Sequence, residues 1–210
     1  MPNQKNIIIT RSLKNDTIKV AKNSQTTFIA MLKKGWDKPI KIKFDFNGEN
    51  ATLNFIAFII GTKQEKFPFE TISNHNVPKT NAHFSVRAAM FDQSEVDYKG
   101  NITIKPKANL TNAYLAHHTL MLSKNAKTHT IPSLEIQADD VKAGHAATIG
   151  NVDEDLIFYL ESRGLDKKSA QNLLIKSFME NDIKKIPDKK IQTILKKEIK
   201  KLLTKNLNHV

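Results

Sequence analysis

With 210 residues, 40% of them hydrophobic and 26% charged, the chain can bury a sizeable core and is too apolar to stay disordered. It contains no cysteine, which excludes disulfides, thiolate catalysis and any cysteine-ligated metal or cluster within the chain itself. The formal net charge of +12 rests on lysine, since Arg11, Arg87 and Arg163 are the only arginines, and it reads as a solvated lysine surface before a dedicated nucleic-acid patch. No apolar run approaches the roughly 20 residues that cross a bilayer. The longest, Asn54 to Gly61, is the length of a strand. The opening MPNQKNIIITRSLKND lacks an apolar stretch followed by a small-residue cleavage site, so a cytoplasmic location is expected.

Up to about residue 150 the apolar residues alternate in short steps. Candidate strands are Ile7–Ile9, Thr17–Val20, Thr27–Leu32 and Ile40–Phe46, the last with a clean period of two that ends at the turn pair Asn47-Gly48. Ala51–Ile60 is more evenly apolar, as in a strand covered on both faces. Phe84–Arg87, Ile102–Lys105, Ala113–Leu115, Thr119–Leu122 and Leu134–Ile136 follow. The spacing suits a sandwich, a barrel or a β-solenoid. Asn101, Asn109, Asn112 and Asn125, read as corner residues, favour the solenoid.

After Gly150 the period becomes helical. Asp153 caps a helix that runs to about Arg163, and Gly164 stands where a C-terminal cap belongs. Asp166 starts a second helix with an apolar stripe of Ala170, Leu173, Leu174, Ser177 and Phe178. Pro187 interrupts, and Asp188 caps a third helix whose apolar line is Ile191, Ile194, Leu195, Ile199, Leu202 and Leu203, with Lys196, Lys197, Lys200 and Lys201 on its other face. The expected organisation is a β body over residues 1–150 and a helical segment over 151–210. Helices this small must bury their stripes on the β body, on each other or on a partner, and the pattern alone does not choose.

Several blocks, in order and spacing, carry a family resemblance. They are His75-Asn76-Val77-Pro78-Lys79-Thr80, Tyr98-Lys99-Gly100-Asn101-Ile102, Leu120-Met121-Leu122-Ser123 and Pro132-Ser133-Leu134-Glu135-Ile136. The densest is Ala138-Asp139-Asp140-Val141-Lys142-Ala143-Gly144-His145-Ala146-Ala147-Thr148-Ile149-Gly150, followed by Phe158-Tyr159-Leu160-Glu161-Ser162-Arg163-Gly164-Leu165. Together they resemble the core of the SufB/SufD family of the SUF iron–sulfur cluster assembly system, on its SufD side.

The resemblance implies a right-handed parallel β-helix with a C-terminal helical segment. It also implies a non-catalytic scaffold rather than an enzyme, whose helical segment docks a SufC-like ABC ATPase and whose β-helix pairs with a SufB-like subunit or with itself. His145 falls on the histidine of the family's Cys-Ser-His-Gly-Ala-Thr motif. It is therefore the implied ligand for iron or a transient cluster shared across the pair, with no tightly bound cofactor expected. Ala143 stands in place of the motif's cysteine and Ala146 in place of its glycine. His117, His118 and His129 are weaker candidates, and since the adjacent His117 and His118 point to opposite faces of a strand, at most one of that pair could share a site with His145. His75 reads as a turn-forming residue. Phe158, Tyr159, Leu160, Arg163 and Phe178 are the expected ATPase-docking residues, and removal of everything after Gly150 is expected to leave the β body folded.

Enzyme readings lack their parts. There is no GxGxxG or P-loop, no HExxH and no nucleophile elbow. Asp139-Asp140 reads as a turn. The alternative from another class is a nucleic-acid-binding module that uses the lysine-rich third helix. Aromatics make up only 7% of the chain and do not interleave with the lysines, and arginine is scarce.

Overall fold

The computed structural model describes residues 4–206. Eleven strands come first: β1 (Gln4–Thr10), β2 (Asp16–Val20), β3 (Ser24–Leu32), β4 (Ile40–Phe46), β5 (Thr52–Gly61), β6 (Lys66–His75), β7 (Asn81–Met90), β8 (Glu95–Ile104), β9 (Thr111–Met121), β10 (Lys127–Ile136) and β11 (Val141–Asn151). Three helices follow: α1 (Glu154–Ser162), α2 (Lys167–Ile183) and α3 (Lys189–Asn206).

Odd-numbered strands form one sheet in the order β1-β3-β5-β7-β9-β11, and even-numbered strands form a second, β10-β8-β6-β4-β2. Every pairing is parallel. The chain therefore alternates between two facing sheets and advances one strand per coil, which makes it a parallel β-solenoid. Inward residues of both sheets, among them Phe28, Phe44, Phe46, Phe55, Phe84 and Tyr98, fill one core cluster. Their rings stack or meet edge-on at centroid distances of 5.5 to 5.9 Å for Phe28, Phe44, Phe55 and Phe84.

Corners repeat as faithfully as strands. Asn23, Asn50, Lys79 and Leu110, each just ahead of an odd strand, all have positive φ. Asparagine tolerates that region and leucine does not, so Leu110 holds it because the stacked backbone requires it. Side-chain amides bridge neighbouring coils: Asn50 to Asn23 at 3.1 Å, Asn74 to Asp45 at 2.7 Å and Asn76 to Asn47 at 2.9 Å. At Gly48 a Cβ would lie 2.3 Å from the backbone nitrogen of Lys22, so the Asn47-Gly48 pair is a site of close coil-to-coil approach. Of the asparagines expected at corners, Asn109 and Asn125 lie in turns, whereas Asn101 and Asn112 lie within β8 and β9.

Three strand expectations change. Ala113–Leu115 and Thr119–Leu122 are parts of the single strand β9, with His117 and His118 between them. β6 carries no hydrophobic alternation because its inward positions after Phe69 are Thr71, Ser73 and His75, all buried polar residues. β11 is unmarked because it is the last strand of its sheet, paired on one side only and exposed along most of its length.

The helical boundaries follow their caps. Asp153 Oδ1 accepts from the N–H groups of Asp155 and Leu156, Asp166 accepts from Ser169 N–H, and Asp188 accepts from Lys190 and Ile191 N–H. Gly164 closes α1 at φ +92°. The stripe expected on α2 is displaced. Leu173 and Ser177 are exposed, and the buried line is Ala170, Ile175, Met179, Asp182 and Ile183.

Ile175, Met179 and Ile183 of that line, with Leu195, Ile199 and Leu203 of α3, pack on Ile29, Met31, Ile56, Phe58, Ile60, Ala89 and Phe91 from the outer face of the odd-strand sheet. The helices therefore cover the β body, and truncation after Gly150 would strip a whole apolar face. The expectation that the β body survives such truncation is corrected on that ground.

One buried ion pair fastens α2 to the sheet. Arg87 of β7 donates to Asp182 Oδ2, which also accepts from Ser85 Oγ at 2.7 Å, while Lys185 Nζ lies 2.6 Å from Oδ1. Phe178 caps the Arg87 guanidinium, ring centroid 4.9 Å from Cζ. Burial works to raise the Asp182 pKa. The contacts from Lys185, Ser85 and Arg87 outweigh it and hold the carboxyl at about 2. Replacing Arg87 by Leu leaves a fully buried carboxylate without its guanidinium. It is expected to lower stability by about 3–5 kcal/mol, read from urea denaturation, and a loss under about 1 kcal/mol would contradict this role for the pair.

Candidate functional site

Two surfaces stand free of the packing just described. One is the end of the solenoid at β10 and β11. Each of these strands has a single neighbour, β8 and β9 respectively, so each offers an unpaired backbone edge. Ile136 and Ile149 are 45% and 60% exposed there.

His145 lies on β11 in register with Leu115 of β9, on the face that in earlier coils looks into the core. β11 is the last strand of its sheet, with no coil stacked beyond it, and the imidazole is exposed. It makes no hydrogen bond or ion pair with another described residue. Ala143, in register with Ala113, packs against the core where the family motif has cysteine.

The weaker histidine candidates separate as strand alternation requires. His117 points inward, 1% exposed, with Nδ1 against Thr130 Oγ1 and Nε2 3.2 Å from Thr119 Oγ1. His118 points outward, Nδ1 2.7 Å from Thr148 Oγ1. His129 faces Asp97 at 3.5 Å on the solvent side of the other sheet. His75 is fully buried. It stacks on Phe46 at 4.4 Å and bonds Thr80 Oγ1 at 2.7 Å, so it does tie the turn that follows β6. No group of three or more His, Cys, Asp or Glu residues able to hold a metal occurs among the described residues. His145 can supply one ligand and no more.

The second surface is the outer side of α1. Ile157 is the only buried residue of this helix. Phe158 is 72% exposed, Tyr159 51% and Leu156 41%, with Leu160 half-buried beside them and Leu173 of α2 41% exposed. Arg163 lies over the Tyr159 ring, 5.2 Å from centroid to Cζ, which holds both side chains in place at the helix end. Phe158, Tyr159, Leu160 and Arg163 therefore share one short helix and its cap. Phe178 does not join them. It packs against the apolar cluster between helix and sheet and over Arg87. Asp182, the residue that locks α2 down, escaped the sequence reading, because an acid on the buried face of a helix erases the stripe that would have marked that face.

A stacked parallel solenoid with an open final coil and a short, partly apolar helix beside it belongs to the β-solenoid proteins, and its free features are strand edges and one helix face. Residues 7–178 match the family described as "SUF system FeS cluster assembly, SufBD core domain", and the chain belongs to that family. It is 35% identical over 132 residues to the iron–sulfur cluster assembly protein SufD of Escherichia coli, covering 63% of this chain and 31% of that protein. It is 30% identical over 146 residues to SufD of Bacillus subtilis, covering 68% and 33%. With the chloroplastic protein ABCI7 of Arabidopsis thaliana it shares 37% identity over 106 residues, covering 50% and 22%. The chain thus spans a third or less of the length of these relatives and is SufD-like. No helix among the described residues is long and apolar enough to cross a membrane.

Burial lowers the pKa of His75 to about 4, and burial with the neighbouring His118 lowers that of His117 to about 3. Both are neutral in the folded chain and ordinary in the unfolded one. Their contribution to stability is complete above about pH 6.5 and is lost as the pH falls towards 4 and 3. Urea melts at pH 7 and pH 5 should therefore differ by about 2 kcal/mol per histidine, and a His75→Gln, His117→Gln chain should show a clearly smaller difference. An equal loss in both chains would contradict burial as the cause.

Proposed function

We propose that this chain is a non-catalytic scaffold subunit in SUF-type iron–sulfur cluster assembly. A SufC-like ABC ATPase docks on the helical segment at Phe158, Tyr159, Leu160 and Arg163. A SufB-like subunit, or a second copy, pairs along the open edges of β10 and β11. Iron or a nascent cluster is cargo at that seam, with His145 as the one ligand from this side.

The observation that carries the reading is the exposure of Phe158 at 72% on a helix otherwise anchored by Ile157. Large aromatics left in water beside a stacked arginine are what protein interfaces bury. Family membership supports the same assignment. The donor set supports a shared site: this chain has no cysteine and no described ligand cluster, so a partner must complete any coordination. An exposed imidazole on a strand with one free edge, followed by the small residues Ala146 and Ala147, leaves room for that partner to approach.

Nucleic-acid binding through α3 finds less support. Leu195, Ile199 and Leu203 are buried against the sheet, Ile194 of the expected apolar line is exposed instead, its described lysines lie on the outer side, and the helix holds no aromatic residue for stacking.

Phe158→Asp with Tyr159→Asp should abolish co-purification with a SufC-type ATPase while the circular dichroism spectrum stays that of the unaltered chain. Retention of the ATPase would place the dock elsewhere. His145→Ala, in the reconstituted complex, should lower the cluster yield without changing the mass of the assembly, and an unchanged yield would make His145 a bystander.

A further inference from the structure

The corner pair Asn47-Gly48 carries chemistry that neither the packing nor the proposed function uses. It is the only Asn-Gly step in the chain, and it lies between β4 and β5 rather than within a strand. An asparagine followed by glycine can lose its side-chain amide to its own backbone, because no Cβ shields the nitrogen that follows. That nitrogen attacks the asparagine Cγ and closes a cyclic imide.

The surroundings of Asn47 favour the attack. Its side chain is exposed, so water reaches the amide. Neither Gly48 N–H nor Asn47 Nδ2 makes a hydrogen bond with another described residue, which leaves both the attacking and the departing nitrogen free. Asn47 Oδ1, by contrast, accepts from Asn76 Nδ2 of the next coil at 2.9 Å. Negative charge gathers on Oδ1 as the Gly48 nitrogen adds to Cγ, and a donor already aimed at that oxygen stabilises it. Asn23 provides the contrast within the same molecule. Its Oδ1 accepts from Asn50 Nδ2 at 3.1 Å, yet the residue that follows is Ser24, fully buried at the start of β3.

We propose that Asn47 is a self-modification site at which the folded chain deamidates, with Asn76 as the donor that assists. The bond from Gly48 N to Asn47 Cγ forms while the Gly48 N–H proton passes to solvent. The Cγ–Nδ2 bond breaks, and the nitrogen takes a proton from water and leaves as ammonia. Water then opens the imide at either carbonyl, giving aspartate or isoaspartate. An aspartate still accepts from Asn76 Nδ2 and keeps the coils in register. An isoaspartate threads the main chain through the former side chain and lengthens it by one carbon. It does so at a corner where a Cβ on Gly48 would already lie 2.3 Å from the Lys22 nitrogen. The site shares no residue with α1, β10 or β11, so it stands or falls apart from the scaffold reading.

The full chain, aged in mildly alkaline buffer and digested with trypsin, is read by mass spectrometry of the peptide that carries residue 47. Asn47 is expected to convert to a mixture of aspartate and isoaspartate while Asn23 and Asn50 stay intact, and Asn47→Gln should abolish the change. Asn76→Leu and Asn76→Asp are similar in size to asparagine and have no donor. Both should slow the conversion by about fivefold or more, the rate equivalent of one hydrogen bond, with the circular dichroism spectrum unchanged. An intact Asn47 in the aged chain, or conversion confined to chain unfolded in urea, would overturn the proposal. So would a rate unchanged or raised in both Asn76 variants.

Discussion

Paired residues of neighbouring coils lie 20 positions apart between β1 and β3 and 26 to 32 positions apart elsewhere, and this register governs the rest of the molecule. Side chains alternate across each strand, so a slip of one residue between coils would turn the phenylalanines of the core outward and the lysines inward. The corners prevent the slip. Stacked positive-φ residues, bridging amides and the close approach at Gly48 allow the next coil one position on its predecessor. Given that register, the odd-strand sheet presents an apolar outer face that the helices must cover, and the even-strand sheet presents a polar one that needs no cover.

The helices divide their labour accordingly. α2 and α3 close the apolar face, with Arg87 and Asp182 fixing where α2 lies. A buried ion pair of this kind adds little net stability over an apolar pair but strongly penalises any other placement of the helix. α1, tethered by Ile157 and its caps, is left free to present aromatics. The same chain segment thus supplies the covering and leaves an exposed aromatic face.

The β-then-α order, all three helix caps and most strands were legible before any coordinates, because they rest on local chemistry: period-two runs, Asp caps, Gly164. β6 was not, since Thr71, Ser73 and His75 line the inside where a hydrophobic pattern was sought. Nor was the buried face of α2, since Asp182 sits in it and its partner Arg87 is 95 residues away. Family resemblance singled out His145, and the structure adds that it stands exposed on the last strand of its sheet. Local periodicity leaves barrel, sandwich and solenoid open, the family resemblance points to the β-helix, and the parallel pairing of every strand shows the solenoid.

A stack of this design has no built-in length. Each coil receives the same corner geometry from the one before and hands it to the one after, so the array could gain or lose whole coils while its two ends kept their character. Partial coils are forbidden, because the amide bridges and left-handed corners would fall out of step. Size in such a protein is therefore quantised, and lineages can shorten or lengthen it in single steps without redesigning the surfaces at which it meets other molecules.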